Sequence, residues 1–220
     1  MTTRSLFDRE LQNLNLDLLH MCALVQEAID NAVAALEHRD EELAKAVIAG
    51  DKEIDSAERA VESRALRLLL QQQPVARDLR SISTALKMIT DMERIGDQAA
   101  DIADLSLRFK NKKPLKEFVH IPQMADSAIS MVRQSIDAFV HADAALAREV
   151  IGRDDEVDAL FDQVKDDICG LISSGSGDPD DAIDLLMIAK YLERIGDHAT
   201  NIAEWVIFSI TGEHKDMKIL

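Results

Sequence analysis

The sequence predicts an all-α protein of six long antiparallel helices, arranged as two three-helix bundles in tandem. Three observations predict it. Apolar residues recur at steps of three and four along most of the chain, the signature of helices with one buried face. Aromatic residues make up only 4% of the chain and glycines number only 8, which suits aliphatic helix packing better than sheets. The pentapeptide Glu93-Arg94-Ile95-Gly96-Asp97 recurs whole as Glu193-Arg194-Ile195-Gly196-Asp197, at an offset of 100, so the chain repeats itself.

The first helix is expected from about Asp8 to Glu37, on the stripe Leu11, Leu14, Leu18, Met21, Val25, Ile29, Val33 and Leu36. His38-Arg39-Asp40 breaks it, and Asp40 is placed to cap the next helix. This second helix runs to about Gln72 through Leu43, Val47, Ile54, Val61, Leu66 and Leu69, with Gly50 inside it. Pro74 suits the first position of the third helix, where its missing N–H costs nothing. That helix buries Leu79, Ile82, Leu86, Ile89, Gly96, Ala99 and Ala103 and frays near Phe109.

The second half replays the first. His141 to Ile151 matches His38 to Ile48 at an offset of 103, and the same offset pairs Met21 with Met124 and Ile29 with Val132. Past the Ser-Gly loop at 173–177 the offset falls to 100. Asp178 and Pro179 are the expected cap and first residue of the sixth helix, which stops at Gly212. The expected domains are therefore 1–110 and 118–212, joined by a linker at 111–117 and followed by a tail at 213–220.

The formal charge is -16, from 41 acids against 25 bases. Such a surface repels nucleic acid and anionic lipid, and both are discounted as direct partners. The N-terminal stretch alternates charge and does not read as a signal peptide. The longest apolar run, Trp205-Val206-Ile207-Phe208, is far short of a membrane span. Cys22 and Cys169 have no CxxC spacing and read as small core residues of a reducing compartment. A cytoplasmic protein is expected.

The repeated pentapeptide places two carboxylates four residues apart, one above the other on a helix. The preceding helix of each half carries its own pair, Asp51 with Asp55 and Asp154 with Asp158. In an antiparallel hairpin, residues equidistant from the turn lie level. Asp55 and Glu93 are each 19 residues from Pro74, and Asp51 and Asp97 are each 23 from it. Asp158 with Glu193 and Asp154 with Asp197 mirror each other about the Ser-Gly loop in the same way. Four like charges brought together repel unless protonated, paired with arginine or bridged by a cation. All-oxygen donors favour Mg²⁺, Mn²⁺, Ca²⁺ or iron without choosing among them, with zinc as a further candidate. The plainer reading is a solvated acidic face in which Arg94 and Arg194 neutralise their neighbours. Gly96 and Gly196 signal either close backbone approach or simple helix crowding. His198 projects away from Asp197 and reads as an interface or capping histidine before a ligand. Arg77 and Arg80, just past Pro74, are candidates for partner contact.

These residues resemble the PhoU family of phosphate-uptake and phosphate-signalling regulators. The resemblance rests on Gln73-Pro74-Val75-Ala76-Arg77-Asp78-Leu79-Arg80 and on the two pentapeptides, the second extended through Glu204. It implies two three-helix PhoU repeats related by a pseudo-twofold, and metal ions on Glu/Asp-x-x-x-Asp motifs. Those motifs fall on Glu93 with Asp97 and on Glu193 with Asp197, with Asp51, Asp55, Asp154 and Asp158 as the acids of the preceding helices. Asp101 has Asn201 as its counterpart, so the two sites need not be equivalent. The resemblance also implies a homodimer and a negative regulator acting between a phosphate-specific ABC transporter ATPase and a sensor histidine kinase.

Two other functions compete. A di-iron carboxylate enzyme needs Glu-x-x-His on two helices of one bundle, and the chain offers Glu117 and His120 alone, at the linker. A metal-free scaffold would use its acids for solubility only. The non-enzymatic metal-binding regulator is the expectation carried forward.

Overall fold

The first helix, α1 (Thr3–His38), covers the whole predicted apolar stripe and begins five residues before the expected Asp8. Leu14, Leu18, Met21, Val25 and Ile29 are fully enclosed, each burial contributing about 1.5–3 kcal/mol. The chain turns through Arg39, which takes a left-handed φ of 55°. Asp40 then caps α2 (Glu41–Gln71), its Oδ1 accepting from the amides of Glu42 at 3.1 Å and Leu43 at 3.0 Å. Next comes α3 (Ala76–Ser106), which closes in a short 3₁₀ turn to Phe109. Pro74 does not open this helix: Val75 is its N-cap in an extended conformation, as suits a β-branched residue, and α3 begins at Ala76.

The computed structural model describes residues 3–71, 74–109, 120–175, 178–215 and 217–218. The expected linker at 111–117 lies outside them. The second half opens with α4 (His120–His141) and repeats the first turn closely. Ala142 takes a left-handed φ of 49°, and Asp143 Oδ1 accepts from the amides of Ala145 and Leu146 at 2.9 and 3.1 Å. The expected fifth helix is then divided at Arg153 into α5 (Ala144–Gly152) and α6 (Asp154–Ser173). Asp178 caps α7 (Pro179–Thr211) by accepting from Asp180 N at 3.0 Å, Pro179 is its first residue, and Gly212 ends it at φ 80°. A two-residue ribbon, β1 (Glu213–His214) with β2 (Met217–Lys218), lies in the expected tail.

Each half is thus an antiparallel bundle, and the halves join through α3 against α7 and α1 against α4. Across the first seam, Asn201 Nδ2 donates to Asp91 at 3.1 Å, and Tyr191 stands close enough to Asp101 for each to shift the other's titration. Positions 91 and 191, and 101 and 201, are repeat equivalents, so these two contacts are the same contact seen twice. They make α3 and α7 antiparallel and set Gly96 level with Gly196. Across the second seam, Arg133 pairs with Asp30 at 2.6 Å, again a residue with its own equivalent. The pseudo-twofold passes through both seams.

Three details differ from the sequence reading. Leu66 is exposed, and Ala65 and Leu68 take the buried positions beside it. Cys169 is exposed on the outer side of α6, whereas Cys22 is buried, and burial pushes its thiol up to about 12. The ribbon folds back on α7, stacking His214 on Trp205 with ring centres 3.8 Å apart. No helix among the described residues is long and apolar enough to cross a membrane.

Candidate functional site

Acidic residues of neighbouring helices in each half lie near enough to feel one another's charge. Asp51, half-buried on α2, is held above the ordinary carboxylate range by burial and then by the charges of Asp97, Asp55 and Asp101. Glu93 on α3 is raised by burial and then by Asp97, with Glu58 and Asp55 adding to it and Arg94 opposing. The second half does the same. Asp197 on α7 is raised by burial, then Glu193, Asp154 and Asp158, and Asp158 by burial, then Asp154 and Glu193. In both bundles, acids of the paired helices thus raise one another.

The glycines explain how the helices come so close. A Cβ built on Gly96 would stand 2.9 Å from Ile54 Cδ1, 3.1 Å from Ile54 Cγ2 and 3.5 Å from Asp51 Oδ1. Only a glycine lets α3 approach α2 at this point. Gly196 is looser, its Cβ position lying 3.4 Å from Val157 Cγ1. Along α3 the acids rotate outward, as 3.6 residues per turn require. Side-chain exposure rises from 23% at Glu93 to 38% at Asp97, and Asp101 is exposed.

The chemistry of these donors fits a hard cation: oxygens only, on facing helices, with Asp51, Glu93, Asp158 and Asp197 raised by burial and then by neighbouring charge. Their placement fits less well. Among the described residues no three Asp, Glu, His or Cys side chains converge closely enough to hold an ion. Bases stand beside the acids instead. Arg94 reaches Glu93 at 3.5 Å and Asp97 at 3.6 Å, Arg59 reaches Asp55 at 3.3 Å, and Lys190 pairs with Glu193. Thr200 Oγ1 donates to Asp154 at 3.2 Å. The contacts of Arg94 are longer than well-made hydrogen bonds, and such exposed pairs are worth about 0–1 kcal/mol. They offset part of the repulsion and are weak enough to exchange.

The other predicted residues fall elsewhere. Asp101 and Asn201 serve the α3–α7 seam through Tyr191 and Asp91. His198 is also a seam residue, its Nδ1 2.9 Å from Asp91 Oδ1. Burial holds Asp101 above the ordinary carboxylate range, against the opposing effect of the Tyr191 hydroxyl. Arg77 is exposed on the first turn of α3, and Arg80 is half-buried with an enclosed Nε that has no hydrogen-bond partner among the described residues. Glu117 lies outside the described residues, and His120 pairs with Asp167 at 2.5 Å. Sequence reasoning missed Asp91 and Tyr191. Aligning the repeats would have found them, because the 91/191 and 101/201 positions exchange acid for polar partner in step.

Comparison with known proteins agrees with this duplicated architecture. The family model described as the PhoU domain matches twice, over residues 18–106 and 121–206. The phosphate-specific transport system accessory protein PhoU homolog of Clostridium acetobutylicum is 37% identical over 216 residues, covering 98% of this chain and 99% of that one. Its namesake in Aquifex aeolicus is 38% identical and covers 84% of each chain. The crystal structure of PhoU from Pseudomonas aeruginosa superposes with a TM-score of 0.90 at 32% identity, covering 94% of this chain and 100% of that one. The phosphate transport system regulatory protein PhoU from Streptococcus pneumoniae gives 0.88 at 30% identity, covering 96% and 99%. Matched by the family model in both halves and by relatives along nearly its whole length, the chain belongs to the PhoU family.

Proposed function

We propose that the protein is a non-enzymatic accessory regulator of phosphate transport that binds hard cations on its two acidic faces. The whole-length likeness to proteins named phosphate-specific transport system accessory proteins carries this reading. In the finer form of the proposal it acts at the cytoplasmic side, pairs with a second copy, and links a phosphate ABC transporter ATPase to a sensor histidine kinase, repressing the starvation response when phosphate is plentiful.

Asp51, Asp55, Glu93 and Asp97 would hold the cation in the first half, and Asp154, Asp158, Glu193 and Asp197 in the second. The raised carboxyls of Asp51, Glu93, Asp158 and Asp197 on facing helices, with loosely held bases beside the acids, support that assignment. A bound cation supplies positive charge that removes the mutual repulsion. With that repulsion removed, the carboxylates would no longer need Arg94, Arg59 and Lys190 as neutralising partners, and those bases would be freed. The surface that a partner meets changes from a repelling acidic face to one with mobile cationic side chains. Arg77, exposed beside the turn, and Arg80 are the proposed partner contacts.

Co-purification from membranes tests the regulatory role. Tagged protein should recover the transporter ATPase and the kinase, in proportions that differ between phosphate-replete and phosphate-starved cells. Charge reversal at Arg77 and Arg80 should reduce that recovery several-fold. Equal recovery by wild type and variant would remove the two arginines from the interface, and no recovery in either condition would remove the adaptor role.

A further inference from the structure

The second half of the chain closes a groove that the first half leaves open. At the break between α5 and α6, the Arg153 guanidinium turns back onto α4. It donates to Ser130 Oγ at 2.9 Å, Gln134 Oε1 at 3.1 Å and Ser127 Oγ at 3.2 Å, and its Nε reaches Glu156 Oε2 at 3.5 Å. The offset of 103 that relates the halves carries Arg153 to Gly50 and its four partners to Glu27, Asn31, Leu24 and Glu53. All five of those residues line an open groove of about 400 Å³ between α1 and α2. A Cβ built on Gly50 meets no atom within 4 Å, so the position that supplies the guanidinium in one half supplies empty space in the other.

Three of the four acceptor positions stay polar where the donor is lost, while Ser127 becomes Leu24. Ser130 is replaced by Glu27 and Gln134 by Asn31, while Glu156 has its equivalent in Glu53. Neither Glu27 nor Glu53 has a hydrogen-bond or ion-pair partner among the described residues. Val47 and Ile54, both buried, form an apolar floor. Two carboxylates and an amide oxygen around an apolar floor match the two parts of one side chain: a planar fork of donors and a methylene stem.

We propose that the groove at Gly50 is a socket for an arginine side chain of a protein partner. The occupant is read from the molecule itself, since the homologous groove already holds a guanidinium. α2 runs unbroken through Gly50, so no residue of its own turns into the groove. The net charge of -16 draws an arginine-bearing surface toward it. Lysine, a point charge on a flexible stem, satisfies three spread acceptors less well. The socket does not depend on the acidic faces, and either can fail without the other.

The test is titration of the isotopically labelled protein with N-acetyl-arginine methylamide and with its citrulline counterpart, which keeps the shape and lacks the charge. The arginine probe should give saturating amide shifts at Asn31, Gly50 and Glu53. Binding should be at least about ten-fold weaker for the citrulline probe and for Glu27→Gln/Glu53→Gln, one lost charge-assisted contact being enough for that factor. Gly50→Arg should abolish the shifts by filling the socket from within. It should also melt roughly 2–4 °C above Gly50→Gln, a change of similar helix propensity. Equal shifts with both probes, shifts spread over the acidic faces, or undiminished binding by Gly50→Arg would overturn the socket. Tighter binding of free arginine than of the blocked residue would overturn its assignment to a protein side chain.

Discussion

At the scale of single residues, the twin glycines of the repeated motif do unequal work. Ile54 is β-branched and buried, and its Cγ2 cannot move away from a new methyl at position 96 without disturbing the α2–α3 contact. Gly96→Ala should therefore destabilise the protein by about 1–2 kcal/mol, overpacking outweighing the gain in propensity. Gly196→Ala meets only ordinary contact with Val157 and should gain up to about 1 kcal/mol of helix propensity. Chemical denaturation of the two variants checks this, and equal effects would contradict it. The sequence reading left each glycine open between close approach and crowding, because spacing alone does not give the size of the residue opposite. His198 was legible as an interface residue from its angle on the helix. Cys169 was not legible as exposed, because a small residue near the end of an amphipathic helix gives no clear face.

At the scale of elements, caps and turns were the most legible features. Asp40 and Asp178 stand at the helix starts their side chains require, and Gly212 takes the left-handed stop that glycine permits. What escaped was the division of the fifth helix. Gly152 weakens the run by propensity, but Gly50 does the same inside an unbroken α2, so the deciding cause is tertiary: Arg153 leaves the helix line to satisfy three polar groups of α4. Arg153→Ala should remove those bonds and lower stability by about 1–3 kcal/mol, most of it from the orphaned Ser127, Ser130 and Gln134. A loss below about 0.3 kcal/mol in the same denaturation experiment would show that the break is set by the backbone rather than by the guanidinium. The repeat held the clue, because Leu24 and Glu27 become Ser127 and Ser130 just where Gly50 becomes Arg153.

At the scale of the molecule, the duplicated halves were legible in the repeat offsets and their pseudo-twofold in the family resemblance, whereas the seam partners depend on how the helices pack. The acidic faces make stability depend on pH with a definite sign. Asp51, Glu93, Asp158 and Asp197 are all raised on folding. A carboxyl raised in this way favours the folded state when protonated, a contribution fully present below its unfolded value and lost as pH rises through the folded one. In chelator-treated buffer, the melting temperature should therefore climb as pH falls through the raised values of these carboxyls toward the ordinary carboxylate range. A flat profile would mean that the bases already compensate the acids. A cation should give the same relief at neutral pH, and this can be measured most directly as the melting-temperature shift on adding Mn²⁺ at pH 7.5 to chelator-treated protein. Wild type should melt higher by an amount equivalent to about 2.7 kcal/mol for each occupied face, roughly 5.4 kcal/mol for two equal faces, at a hundred-fold excess over Kd. Glu93→Gln/Asp97→Asn/Glu193→Gln/Asp197→Asn should start more stable and gain nothing, whereas an equal gain in that variant, or none in wild type, would contradict cation binding at the acidic faces.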